Sequence, residues 1–155
     1  MSLTRTTKID PRRSTNVRWG MLYDYTRFAG LQVLLQSVIS GSKLIVPPFE
    51  DSLDKKIKKF IDHDCTHLSA TPTLWRKIVM TSKAKQINLL QATLGGEIAD
   101  DRILVAIAKL FPKARIVHIF ASTEAGVGFS VADKRAGFPL SYLKNPPPGV
   151  NIKIK

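Results

Sequence analysis

The stretch Leu89–Gly126, "LLQATLGGEIADDRILVAIAKLFPKARIVHIFASTEAG", decides the fold. It opens with a short apolar run, "LLQATL", broken by Gly95-Gly96-Glu97. Asp100 then stands where a helix cap belongs, and Ile103, Ile107, Leu110 and Phe111 recur at the spacing of one helix face before Pro112 stops it. "ARIVHIF" follows as a second apolar run, too rich in β-branched residues to continue a helix. Strand, helix and strand with short connections make a parallel unit, whose strands must be covered on both faces.

The same rhythm runs backwards from this unit. Phe28, Leu31, Leu35, Val38 and Ile39 predict a helix with one apolar face, stopped by Gly41. "KLIVP" reads as a buried strand closed by Pro47 and Pro48, and a helix begins near Ser52 with Leu53, Ile57, Phe60 and Ile61 on one side. "THLSA" is a further strand, and Thr71 before Pro72 is a cap followed by proline at the first helical position. After Gly126 the texture changes: "VGFSVA" and the terminal "VNIKIK" alternate as edge strands do, with "NPPPG" between them as a rigid connector. The expected fold is α/β, a mainly parallel sheet with helices packed on it, plus short β-strands after the "FASTEAG" motif. Residues 1 to 16 read as a polar tail or connector, and 17 to 155 as one α/β subdomain.

Composition bounds what this domain can be. The 155 residues are 44% hydrophobic and 23% charged, the balance of an ordinary globular chain rather than a disordered one. No apolar run reaches the roughly 18 to 20 residues that span a bilayer, and no signal peptide opens the chain. A single cysteine, Cys65, excludes an internal disulfide and fits a reducing, cytoplasmic setting. The net charge is +12. Its cations are scattered, and several sit beside acids, as in "DSLDKKIKKFIDHD", which argues against a nucleic-acid surface and for a solvated helix face.

Ligands of parallel α/β sheets bind beyond the carboxyl ends of the strands. Two such ends are chemically distinctive here, "LGGE" and "FASTEAG". Adjacent glycines let a ligand approach the backbone, a threonine hydroxyl and exposed amides bind phosphate oxygens, and a glutamate is a hard oxygen ligand for Mg²⁺. Together these are parts of a Mg-nucleotide site. No G-x-x-x-x-G-K-[ST] occurs, so a P-loop enzyme is excluded.

The pair of motifs, with "LSATPTLWRKI" before it, resembles the AMP-forming acyl-adenylate synthetases, which include acyl-CoA synthetases, luciferase-like enzymes and adenylation domains of peptide synthetases. In that family a Gly-Gly-Glu strand end is followed by a helix and a strand ending in Tyr-Gly-x-Thr-Glu-x-Gly. "YDYTRFAGLQVLLQSVISGSKLIVPP" is similar to the family's segment beside the acyl pocket, and "RAGFPL" to its Gly-x-Pro step. The resemblance covers roughly residues 17 to 155. It implies that Phe120 stacks near adenine, that Ala121 and Ser122 shape the backbone against the nucleotide, that Thr123 binds the α-phosphate and that Glu124 holds Mg²⁺. Gly95, Gly96 and Glu97 would form the other wall, with Tyr23, Gly96 and Ala121 at the acyl pocket. The implied reaction joins a small-molecule carboxylic acid to ATP as an acyl-adenylate and passes the acyl group to a thiol, commonly coenzyme A.

Two departures stand in the motif. The family tyrosine is Phe120, which keeps a stacking face and loses a hydroxyl hydrogen bond, about 0.5 to 1.5 kcal/mol. The following glycine is Ala121, which adds a methyl where the ligand approaches and disfavours positive φ. The family's Ser/Thr/Gly-rich phosphate loop, its ribose-binding Thr-Gly-Asp and its C-terminal lid with the catalytic lysine do not occur. Losing two or three charged contacts of about 1.5 to 3 kcal/mol each would weaken nucleotide binding by roughly 10³ or more. The expectation is a central fragment of the large N-terminal domain of a synthetase, truncated at both ends, inactive alone and partnered by those segments. The alternative is a non-catalytic degenerate relative, or a basic nucleic-acid-binding α/β module.

Other residues invite plainer readings. His63, Cys65 and His67 match no strong zinc pattern and straddle a helix end and a strand start. His118 reads as a hydrogen-bonded core histidine with a supporting role near the motif. Tyr23 and Asp24 fit an acyl-pocket loop and equally an aromatic core contact with a capping acid. Trp19 and Trp75 read as core or partner-face residues.

Overall fold

The structure, a computed structural model, describes residues 16–122 and 126–152. The element order is β1 (Arg18–Gly20), α1 (Phe28–Ser40), β2 (Lys43–Ile45), α2 (Leu53–Asp62), β3 (His67–Ala70), α3 (Pro72–Met80), β4 (Gln91–Leu94), α4 (Asp101–Leu110), β5 (Arg115–Ser122) and β6 (Gly126–Val131). The six strands form one sheet in the order β2-β1-β3-β4-β5-β6. The first five run parallel, and β6 returns antiparallel to β5. The mainly parallel α/β architecture is therefore as expected, with a strand on "VGFSV" at the sheet's edge.

The sheet separates two unequal cores. One face carries α2, α3 and α4, whose Ile57, Phe60, Trp75, Ile78, Ile103, Leu104 and Ile107 pack on Leu68, Ala70, Ala92, Leu94 and Ile116. Trp75 is fully buried, and its indole Nε1–H donates to the Thr93 carbonyl at 2.9 Å, so the polar atom is satisfied. The other face carries α1, where Val33 meets Trp19 and Met21. Caps close the helices as their sequences demand: Ser52, Thr71 and Asp100 accept from Lys55, Leu74 and Ile103 amides. Gly41 ends α1 in the left-handed conformation.

Three details differ from the sequence reading. β1 has no apolar run to announce it. Its pairing holds it: the Arg18 amide donates to Thr66 Oγ1 at 2.9 Å and the Thr66 amide donates to the Arg18 carbonyl at 3.0 Å. Second, α1 does not bury the stripe of Phe28, Leu31, Leu35, Val38 and Ile39. It buries Gly30, Val33 and Ser37 and leaves Val38 68% exposed. The first turn packs closely on the loop before it: a Cβ on Gly30 would lie 2.1 Å from the Asp24 carbonyl oxygen. Third, Val150–Ile152 form no strand, and residues 153–155 of the expected terminal strand lie outside the described residues, as do residues 1–15 of the expected tail.

Candidate functional site

Every parallel strand delivers its carboxyl end to one edge of the sheet, and the two motifs meet there. β4 ends at Leu94 and opens into Gly95-Gly96-Glu97; β5 runs beyond its parallel partner to Ala121 and Ser122. Gly96 has φ +81°, a conformation that a side chain would strain. A Cβ on Gly95 would meet nothing nearer than Ile119 at 3.8 Å, and one on Gly96 nothing nearer than Thr71 Cγ2 at 3.8 Å. The backbone here is open to a ligand.

Between this edge and α1 lies a cavity of about 690 Å³, lined in part by Tyr23, Gly95, Gly96, Ala121 and Ser122. It falls on the α1 side of the sheet: Ser69 and Ile119 line it, while Leu68, Ala70 and Ile116 point into the larger core. The three residues expected at the acyl pocket, Tyr23, Gly96 and Ala121, are thus brought together. Ala121 sits in β5 without positive φ, so the methyl that replaces the family's glycine imposes no backbone strain. A second cavity, about 610 Å³, is lined by Arg18, Lys43, Lys59 and His63 and contains no motif residue.

Tyr23 is largely enclosed. Burial pushes its phenol up to about 12, against a hydrogen bond with the Ser69 side chain, with the Glu97 charge adding to the rise. It stays neutral at physiological pH. Glu97, expected as a nucleotide wall, is occupied structurally: its Oε2 accepts the Thr73 amide at 2.9 Å. Hydrogen bonds from the Thr73 hydroxyl, and then from its amide and Thr71, hold the carboxyl below its usual range. The Gly-Gly-Glu loop is thereby fastened to the N-terminus of α3, where a negative charge is favoured.

Phe120 points to the face opposite the cavity. Its ring stacks on Phe129 (centroids 4.6 Å, 16°) and meets Phe138 edge-on at 5.8 Å. His118 lies 4.4 Å away on the same face. Its imidazole is 5% exposed, bonds to the Glu97 backbone and is held below its ordinary pKa by burial, while Nδ1 has no partner. That orphaned polar atom, between Gly-Gly-Glu and Phe120, is the feature that the sequence reading placed only in a supporting role. Thr123 and Glu124 lie outside the described residues.

The metal-like triplet does not converge. His63 is exposed, Cys65 is buried with its thiol directed at the His67 carbonyl (3.4 Å), and the His67 ring bonds to Thr66 Oγ1 at 2.9 Å. Among the described residues no group of three or more His, Cys, Asp or Glu is placed to hold a metal ion. No described helix is long and apolar enough to cross a membrane.

Comparison with known proteins agrees with this architecture. The family model for AMP-binding enzymes matches residues 3–155, and the chain belongs to that family. No curated protein matches it. Among solved structures, the nonribosomal peptide synthetase FmoA3 superposes with a TM-score of 0.72 at 17% identity, over 84% of this chain and 15% of its own. IdnL1 gives 0.65 at 19% identity, over 74% of this chain and 25% of its own. The N-terminal domain of FACL13 from Mycobacterium tuberculosis gives 0.66 at 16% identity, over 76% and 30%. Likeness at these identities establishes the fold, and the chain spans at most about a third of the length of these structures.

Proposed function

We propose that the chain supplies the nucleotide and acyl walls of an ATP-dependent carboxylate–AMP ligase, acting in a larger protein. The observation that carries this reading is the convergence of Gly95-Gly96, Ala121-Ser122 and Tyr23 on one cavity at the carboxyl edge of the sheet. In the reaction a carboxylate oxygen attacks the α-phosphorus of ATP, the bond to the bridging oxygen breaks, and pyrophosphate leaves with its electron pair. The sulfur of a thiol then attacks the acyl carbonyl carbon, the bond to the phosphate oxygen breaks, AMP leaves and the thiol proton passes to solvent; coenzyme A is the proposed acceptor.

The chain's own groups mainly position and neutralise. The open backbone at Gly95 and Gly96 admits a flat ring or phosphate, while His118, buried beside Phe120 on the other face, supports the end of β5 from behind. Thr123 is assigned the α-phosphate and Glu124 the Mg²⁺, a role its hard carboxylate oxygens suit. When bound, Mg²⁺ supplies charge neutralisation on the phosphates. The neutral Tyr23 and its Ser69 partner close the acyl side without a competing negative charge. We assign the protein to the cytoplasm, consistent with its lone buried cysteine.

The test is carboxylate-dependent ATP–pyrophosphate exchange on the longest protein that contains this chain, with Glu124→Gln as control. Exchange with one class of acid, lost in the control, is the expected result. Folded protein that neither exchanges nor binds MgATP would refute the reading and leave a degenerate relative, for which salt-sensitive nucleic-acid binding is the next assay.

A further inference from the structure

The acyl cavity is not built for a plain hydrocarbon. Among the described residues its lining holds no carboxylate, and the one charged side chain there is Arg27, at the N-cap of α1. Among the described residues Arg27 makes no side-chain hydrogen bond or close ion pair, only a longer-range attraction to the Asp24 carboxylate, and Gln32 makes no side-chain hydrogen bond. Gln32 is the sharper clue, because it is half-buried against the cavity and its amide could donate twice and accept twice. Tyr23 and Ser69, by contrast, satisfy one another.

Position gives the amide its meaning. β1 ends at the carboxyl edge and α1 runs back from there, so Gln32 lies a turn beyond Phe28, away from the loops where the reacting carboxylate must sit. An alkyl chain laid against Gln32 would strip its water and return no hydrogen bond. A site that hydrogen-bonds a substrate oxygen instead rejects analogues that lack it. We infer that the acid bound here carries a second oxygen function along its chain, a hydroxyl or a second carboxylate, and that Gln32 is the residue that reads it, with Arg27 favouring the anion at the cavity mouth. This rests on the ligase reading for the cavity's role.

Direct binding separates the two ideas because it needs no ATP. The chain would be titrated with octanoate, 8-hydroxyoctanoate and suberate by ligand-observed NMR, as wild type, Gln32→Leu and Gln32→Met. At least one oxygenated acid should bind about 10-fold tighter than octanoate, equivalent to about 1.4 kcal/mol. Both variants should reduce that ratio to about threefold or less, by weakening the oxygenated acid, with unfolding midpoints unchanged. Two variants of different shape guard against a local misfold in one. Octanoate binding as well as the others, a ratio that the variants leave intact, or no binding by any acid would overturn the inference. A preserved preference without pyrophosphate exchange in the larger protein would refute the ligase reading alone.

Discussion

The Glu97 carboxylate accepts the backbone N–H of Thr73 at 2.9 Å, across 24 residues of sequence, so the loop after β4 and the start of α3 are one unit. The contact uses three favourable features together: a donor left over at a helix N-terminus, the helix dipole, and hydroxyls from Thr71 and Thr73.

Replacing Glu97 by Gln should therefore cost about 0.5 to 1 kcal/mol at neutral pH, the range of an exposed helix-terminal charge. The folded-state pKa is depressed, so this stability is present above the unfolded value and is lost as pH falls through the folded one. Urea unfolding at pH 7 should separate wild type from variant, and the gap should close as acid protonates the Glu97 carboxyl in the folded state. A gap independent of pH would contradict the charge–dipole account.

Gly30→Ala should be damaging although it adds only one methyl to a helix, because Gly30 is buried. The new methyl would lie 2.1 Å from the Asp24 carbonyl oxygen, a backbone atom that cannot swing away. Forced shifts of this kind cost about 1 to 3 kcal/mol or more, while alanine's helix preference returns under about 1 kcal/mol. Thermal melts should show a net loss, and the cavity lined by Phe28 and Ala29 should bind carboxylic acids less tightly.

His67 is pushed down to about 4 by burial, and its ring centroid lies 5.0 Å from that of Trp19. The unfolded chain therefore binds a proton that the folded chain refuses between about pH 6.5 and 4. Stability is full above the upper value and falls as pH drops through that window. The urea midpoint followed by tryptophan fluorescence should decrease from pH 7 to pH 5, and His67→Gln should flatten the slope.

Cys65 is fully buried, with burial raising its thiol to about 12 against hydrogen bonds to the His67 and Gly20 backbone. Disulfide reagents need the thiolate. Labelling at pH 8 should be slower than for a free thiol by orders of magnitude, and should accelerate with urea in step with loss of fluorescence signal. Fast labelling of native protein would show that the seam between β1 and β3 opens locally.

The helices and central strands were legible because local signals and packing agree: Ser52, Thr71 and Asp100 are caps in sequence and in space, and Gly41 ends α1 as expected. β1 was illegible because Arg18-Trp19-Gly20 has no strand pattern, and only Thr66 and the neighbouring strands define it. The buried face of α1 was misread because hydrophobicity points to Leu31 and Val38, while contact is made through small residues whose value lies in what they lack. At the site, "LGGE" and "FASTEAG" marked the edge correctly. Their side-chain directions did not show, since the alternation that sends Ala121 to the cavity and Phe120 away from it depends on which face α1 covers. Gln32 escaped notice for the same reason, as a polar residue inside a helix ordinarily faces water.

Asp101 opens α4 and also accepts the Ala136 amide at 2.8 Å, stapling the loop after β6 to the helix that follows Gly-Gly-Glu. The segment between these partners, 35 positions apart, closes into a noncovalent ring that carries both Phe120 and the end of β5. Within this ring, sequence exchange is constrained. A chimera that imports a relative's residues 95–110 without 115–138 would inherit one half of each contact, whereas transplanting the whole stretch keeps the ring closed. Recombination among relatives should therefore tolerate crossovers before Thr71 or after Phe138 and penalise those between, a pattern that shuffled libraries scored for soluble expression would display.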